Sequence, residues 1–180
     1  MNAKIIKEIR NACNDVSFIK TSELSFSHHV RQACEQNQCG CWNTNWRCPP
    51  ACGSIETLKK QIQSYPNMLL FTKIVMIEDS FDVEKMDQGR KEFTKFLRLL
   101  NQNHHIVTHN MMILGVGACD LCSPCPYPYE TCRHPEDSFT SLEATGIDVV
   151  TLAKSANIKY YHGPNTVTYF ASILYHEEEQ

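Results

Sequence analysis

The stretch MLLFTKIVMI, residues 68–77, decides how this chain folds. Only Thr72 and Lys73 interrupt its apolar side chains. A nearly continuous apolar run of this kind reads as a central strand of a sheet. It is too short to cross a bilayer, which takes about 20 apolar residues. Upstream, Ser54 is an N-cap for a helix over Ile55–Ser64, with Ile55, Leu58 and Ile62 inward and Pro66-Asn67 ending it. Downstream, Asp82 caps the longest predicted helix, Val83 to about Asn103, whose inner face carries Met86, Phe93, Phe96, Leu97 and Leu100.

Further out, NMMILG (110–115) and NTVTYFASILY (165–175) read as strands. Ile5, Ile6, Ile9 and Cys13 recur at helical spacing in residues 2–13, and a second such pattern runs over Gly146–Ala156. Residues 15–26 are mixed, with room for a short strand, and 176–180 read as an acidic, frayed tail. Strands alternate with helices and no linker divides them, so the expectation is one α+β (or α/β) domain over residues 1–180. A small central sheet would carry its helices on one face, with two cysteine-rich loops inserted.

Composition narrows the function classes. The chain has 180 residues, is 42% hydrophobic and carries a formal net charge of −3. Its basic residues are scattered, so no nucleic-acid partner is expected. No apolar stretch is long enough for a membrane span. The N-terminus MNAKIIKEIRNACND has no secretory apolar core. Ten cysteines without an export signal point to a reducing, cytoplasmic setting, where clustered thiols ligate metals more often than they form disulfides.

Nine of those ten cysteines fall in two groups. The second group, residues 119–132, has the spacing C-x2-C-x2-C-x6-C: Cys119, Cys122, Cys125 and Cys132. Three thiolates at two-residue intervals wrap one iron–sulfur cluster, and a longer return brings the fourth. Structural zinc favours paired C-x2-C knuckles and fits this run less well, but stays open as the alternative. The first group, residues 34–52, has Cys34, Cys39, Cys41, Cys48 and Cys52. Five thiols exceed four positions, so one is not a ligand. Cys48-Pro49-Pro50 predicts a rigid, extended exit, and Trp42 and Trp46 would shield a centre from water. Gly115-Val116-Gly117 would let the backbone pass close to a cofactor. Arg133 and His134 could donate to a sulfide or an anion. The remaining histidines, His28, His29, His104, His105, His109, His162 and His176, read as surface or loop residues. Cys13 reads as a buried thiol on its helix.

Several blocks together are similar to a known family. They are Cys34-x4-Cys39-Gly40 with Trp46-x-Cys48-Pro49-Pro50-Ala51 and Gly53; Glu78-Asp79-Ser80-Phe81-Asp82; and Leu114-Gly115-x-Gly117-x-Cys119-x2-Cys122-x2-Cys125 with Tyr127-Pro128 and Cys132-Arg133-x-Pro135-Glu136. Glu143-Ala144 with Gly146-Ile147, and Asn165 to Phe170, complete the set. The chain resembles a cysteine-rich family of cytosolic proteins known only as predicted metal-binding proteins, common in anaerobic bacteria and archaea. The resemblance implies metal or iron–sulfur binding without a defined reaction. It ranks Cys34, Cys39 and Cys48 above Cys52, and Cys41 lowest. The family usually has tyrosine and glycine where this chain has Trp42 and Asn43; asparagine tolerates the left-handed conformation a glycine there would need.

The resulting expectation is an iron–sulfur protein with two [4Fe–4S] centres. One would sit on Cys119, Cys122, Cys125 and Cys132, the other on Cys34, Cys39, Cys48 and Cys52. It would serve electron transfer or reductive chemistry with a redox partner protein or a small-molecule substrate. The alternatives are an enzyme with an open iron at the first group, and a zinc-stapled binding module.

Overall fold

The computed structural model describes residues 1–177; of the expected acidic tail, residues 178–180 lie outside the described residues. The elements run α1 (Ala3–Ala12), β1 (Val16–Lys20), α2 (His28–Glu35), α3 (Ile55–Gln63), β2 (Asn67–Met76), α4 (Val83–His104), β3 (Met112–Gly115), β4 (Thr140–Ser141), α5 (Val149–Ser155) and β5 (Thr166–Tyr175). Short 3-10 turns occupy Thr21–Glu23 and Glu143–Thr145. The sheet order is β1-β2-β5-β3-β4, antiparallel except for the β3–β4 pair. This is a single small α+β domain.

The long β2–β5 ladder, from Asn67↔Tyr175 to Met76↔Thr166, is the spine of the sheet. Side chains alternate across it with the two-residue period of a strand. Met68 and Leu70 join Phe170 and Leu174 on one face, where Ile62 of α3 and Leu152 of α5 cover them. Leu69 and Phe71 join Ala171 and Ile173 on the other, under Ile5 and Ile9 of α1 and Phe93, Leu97 and Leu100 of α4. The Phe93 ring meets Phe71 edge-on at 6.0 Å. Helices thus cover both faces, not the one face expected. The reason is legible in the run itself: consecutive apolar residues on a strand point to opposite sides, and each fully buried one contributes about 1.5–3 kcal/mol only if both sides are covered.

Helix starts follow their capping residues. Ser54 accepts from the Thr57 N–H at 3.2 Å, Asp82 from Lys85 at 3.1 Å, and Asp148 from Val150 and Thr151 at 3.0 and 3.1 Å. Asp148 sets the true start of α5, so Gly146 and Ile147 lie in the turn before it and not in the helix. Cys13 follows α1 as its C-terminal cap.

Candidate metal centre

Both cysteine segments meet where β3 ends. The first, residues 36–53, joins α2 to α3 as a chain of tight turns. Asn37 and Asn43 take left-handed conformations (φ 53° and 57°), as asparagine can. The Asn37 side chain accepts from the Trp42 N–H at 2.9 Å, and the Asn43 N–H donates to Pro49 O at 2.8 Å. The Cys48–Gly53 stretch does not extend as expected. The Cys52 N–H donates back to Cys48 O and the Gly53 N–H to Pro50 O, both at 3.1 Å, closing a turn.

The second segment, residues 116–139, links β3 to β4. Two arginines of α4 fasten its start: Asp120 accepts from Arg98 at 2.5 Å and from Arg90 at 3.4 Å. Gly117 lines the cavity of the first thiol group, and both glycines also make room for protein side chains. A side chain at Gly115 would meet Phe139, and one at Gly117 would meet Arg90.

The two segments are stitched to each other. Trp46 Nε1 donates to Glu130 O at 3.0 Å and its ring lies edge-on to Tyr127, centroids 4.9 Å apart. The Tyr127 hydroxyl donates to Asn43 Oδ1 at 2.7 Å. Arg47 donates to Ser138 Oγ and to Pro135 O, each at 2.7 Å, and Ser138 Oγ is 3.5 Å from Cys132 Sγ. Arg47, which the sequence reading passed over, therefore reaches from the first segment to the last thiol of the second.

The thiols sort by cavity. Cys119, Cys122, Cys125 and Cys132 all line one small cavity with Trp46, Arg47 and His134. Its free space is about 10 Å³, roughly one water's worth. Cys34, Cys39, Cys41 and Cys48 line a larger cavity of about 560 Å³, whose other walls include Trp42, Arg90, Glu143 and Tyr169. Cys41, ranked lowest from sequence, thus faces the same space as the expected ligands. Its thiol donates to Cys39 O at 3.3 Å. Cys52 points elsewhere. Its sulfur lies 3.7 Å from the Arg31 guanidinium and 3.9 Å from Ala144 O, and it shares a cleft of about 330 Å³ with Cys132. The two thiol groups therefore adjoin. Among the described residues, no three or more His, Cys, Asp or Glu side chains converge as a preformed site for a metal ion. The thiols ring their cavities without meeting at a point.

Burial favours the protonated form of five clustered thiols. It pushes Cys48 up to about 12, and it raises Cys34, Cys41, Cys52 and Cys119 as well. The Arg31 charge opposes the shift at Cys34 and Cys52. Glu143 is raised by desolvation against hydrogen bonds from its own backbone and Ser141, although its side chain keeps solvent contact through the cavity. A metal binding to these thiols must displace their protons.

The histidines stay outside both groups, except His134. His28 and His29 begin α2, not a loop. His104 is half-buried at the end of α4 and meets Glu8 at 2.7 Å, contrary to the surface reading. Arg133 is exposed and pairs with Glu130 at 3.4 Å.

Fold and site together define a cysteine-rich α+β domain with two adjoining thiol groups on loops at one end of its sheet. A family model described as "Predicted metal-binding protein (DUF2284)" matches residues 17–175. The chain belongs to that family. Neither a curated protein nor a solved structure matches the chain.

Proposed function

We propose that this protein binds two iron–sulfur centres and passes electrons between them in the cytoplasm of an anaerobic cell. One observation carries the reading: four cysteines spaced C-x2-C-x2-C-x6-C line one cavity, walled by the segment that bears the other thiols. Cys119, Cys122, Cys125 and Cys132 would hold one [4Fe–4S] centre, and Cys34, Cys39, Cys48 and Cys52 the other. Such centres supply one-electron chemistry. All the donors are thiols, the soft ligands iron–sulfur clusters take, and Cys52 would have to turn toward the cavity that Cys34, Cys39 and Cys48 line to complete the first set. Trp46 walls the cavity of the second group and is held edge-on against Tyr127. The cleft that Cys52 and Cys132 share, with Trp46 and Arg47 in its lining, favours transfer between the centres over two independent sites. The outer electron acceptor or donor would be a redox partner protein.

The first test is iron, zinc and acid-labile sulfide content after strictly anaerobic purification. About eight iron with matching sulfide per chain supports two four-iron centres. Zinc without sulfide retires the proposal in favour of a zinc-stapled module.

A second reading rests on the large cavity at the first group. Its free space of about 560 Å³ falls in the range of small-molecule sites. If Cys52 is not a ligand, an iron there is open to a substrate. A first centre that survives Cys52→Ser unchanged would favour this enzyme reading.

A further inference from the structure

Arg31 stands out on charge grounds. It is only 8% exposed, on a helix whose other residues all keep solvent contact. Guanidinium stays protonated at any pH a folded protein meets. Burying such a charge without an anion is strongly unfavourable. Yet among the described residues no carboxylate forms an ion pair with Arg31. Its donors go to the backbone carbonyls of Gly53 and Ala144 and to Cys52 Sγ. The nearby acid Glu56 is exposed and lies 3.3 Å from His28 instead. Carbonyl dipoles satisfy the hydrogen bonds but bring no net charge. What lies in reach and can become anionic in bulk is the first thiol group: Cys34 is one helical turn along α2, and Cys52 is in contact.

We propose that Arg31 is the built-in counter-charge of the first thiol group, offsetting the negative charge of its metal–thiolate centre and raising that centre's reduction potential. The inference rests on the metal–thiolate reading above but not on which metal is bound. A reduced cluster is one charge more negative than an oxidised one, so a fixed cation beside it favours the reduced form. At the effective dielectric of protein sites, a unit charge within about 10 Å changes such an equilibrium about tenfold or more.

Arg31→Gln and Arg31→Lys test this in the anaerobically purified full chain. Lysine keeps the charge and loses the two-pronged carbonyl contact; glutamine loses the charge. With clusters intact, Arg31→Gln should lower the reduced-to-oxidised ratio of one centre about tenfold at fixed potential, a shift of ~59 mV for one electron. The other centre should not move, and Arg31→Lys should stay near wild type. If glutamine costs the protein its first centre, retention by lysine supports the counter-charge. Equal loss in both variants assigns Arg31 to holding carbonyls and overturns the proposal, as does an unshifted potential in Arg31→Gln. If the wild type carries zinc and no sulfide, the iron–sulfur reading fails on its own. The same pair is then compared by chelator competition for zinc, where about tenfold weaker binding in Arg31→Gln alone sustains the counter-charge and equal affinities refute it.

Discussion

Replacing Gly117 by alanine tests how the second cysteine segment is anchored. The added Cβ would stand 2.8 Å from Cδ of Arg90 and 3.7 Å from its Cγ. Residue 117 also has φ 61°, which costs an L-residue about 1–2 kcal/mol. Arg90 is not free to swing aside. It binds Asp87 at 2.8 Å, Ala118 O at 3.3 Å and Asp120 at 3.4 Å. Its side chain and that of Asp120 are only 20% and 26% exposed. Disturbing that pair lies between the cost of an exposed pair and a buried one, about 1–2 kcal/mol. The sum is about 2–4 kcal/mol. Gly40 supplies the control: its φ is 70°, but a Cβ there meets nothing within 4 Å. Gly40→Ala should therefore lose only the backbone share, about 1–2 kcal/mol. Urea unfolding of both variants and wild type, at equal metal content and equal m-value, separates the two terms. If Gly117→Ala is no more destabilised than Gly40→Ala, Arg90 is not the anchor described here.

Other consequences can be checked directly. Asp148 accepts from Thr151 Oγ1 at 2.8 Å as well as from two backbone N–H groups, and these bonds hold its carboxyl below the usual range. Asp148→Ala should cost ~1 kcal/mol at pH 7. Because the folded carboxyl is depressed, that contribution is complete above the unfolded value near 4 and is lost as pH falls through the lower folded value, so the urea-midpoint gap should close in acid. Metal uptake by the reduced, metal-free chain should release protons into weakly buffered solution and tighten as pH rises, because burial keeps Cys34, Cys48 and Cys119 protonated; uptake indifferent to pH between about 6 and 8 would exclude these thiols as ligands. Cys41→Ser should leave metal content unchanged while Cys48→Ser lowers it, as elemental analysis would show; the reverse would exchange their roles.

The elements with a strong local signal were readable: the continuous apolar run of β2, the helical stripe Phe93-Leu97-Leu100 of α4, and the capping side chains Ser54 and Asp82. Helix α2 was not, since HHVRQACE offers a single buried residue and that residue is an arginine. Strand β4 is two residues long and has no period to detect. Cys119, Cys122, Cys125 and Cys132, grouped by spacing, line one cavity because a short loop keeps its own residues near one another. At the first group, spacing could not show that Cys41 turns toward the cavity and Cys52 away. That choice is made by turns at Asn37 and Asn43 and by a long-range contact from Arg31 to Ala144.

Net charge hid the most telling electrostatic feature. A chain of −3 suggests no particular ligand, yet four of its six arginines act on thiols. Arg31 acts on Cys34 and Cys52, Arg47 on Cys52, Arg90 on Cys41 and Arg98 on Cys119. None of these thiols carries charge while protonated, so the arginines gain no charge–charge attraction from them in the metal-free state. They gain once the thiols are deprotonated, which metal binding enforces. Arg90 and Arg98 are meanwhile held by Asp120, and Arg47 by Ser138 and Pro135 O. Arg31 alone among the four is buried. Arginines of α2, α4 and the first cysteine segment thus stand near Cys34, Cys41, Cys52 and Cys119 in a protein that is negative overall, opposed by Glu143 at Cys34 and by Asp120 at Cys119. That distribution favours the thiolate form of these cysteines, which any bound metal would require.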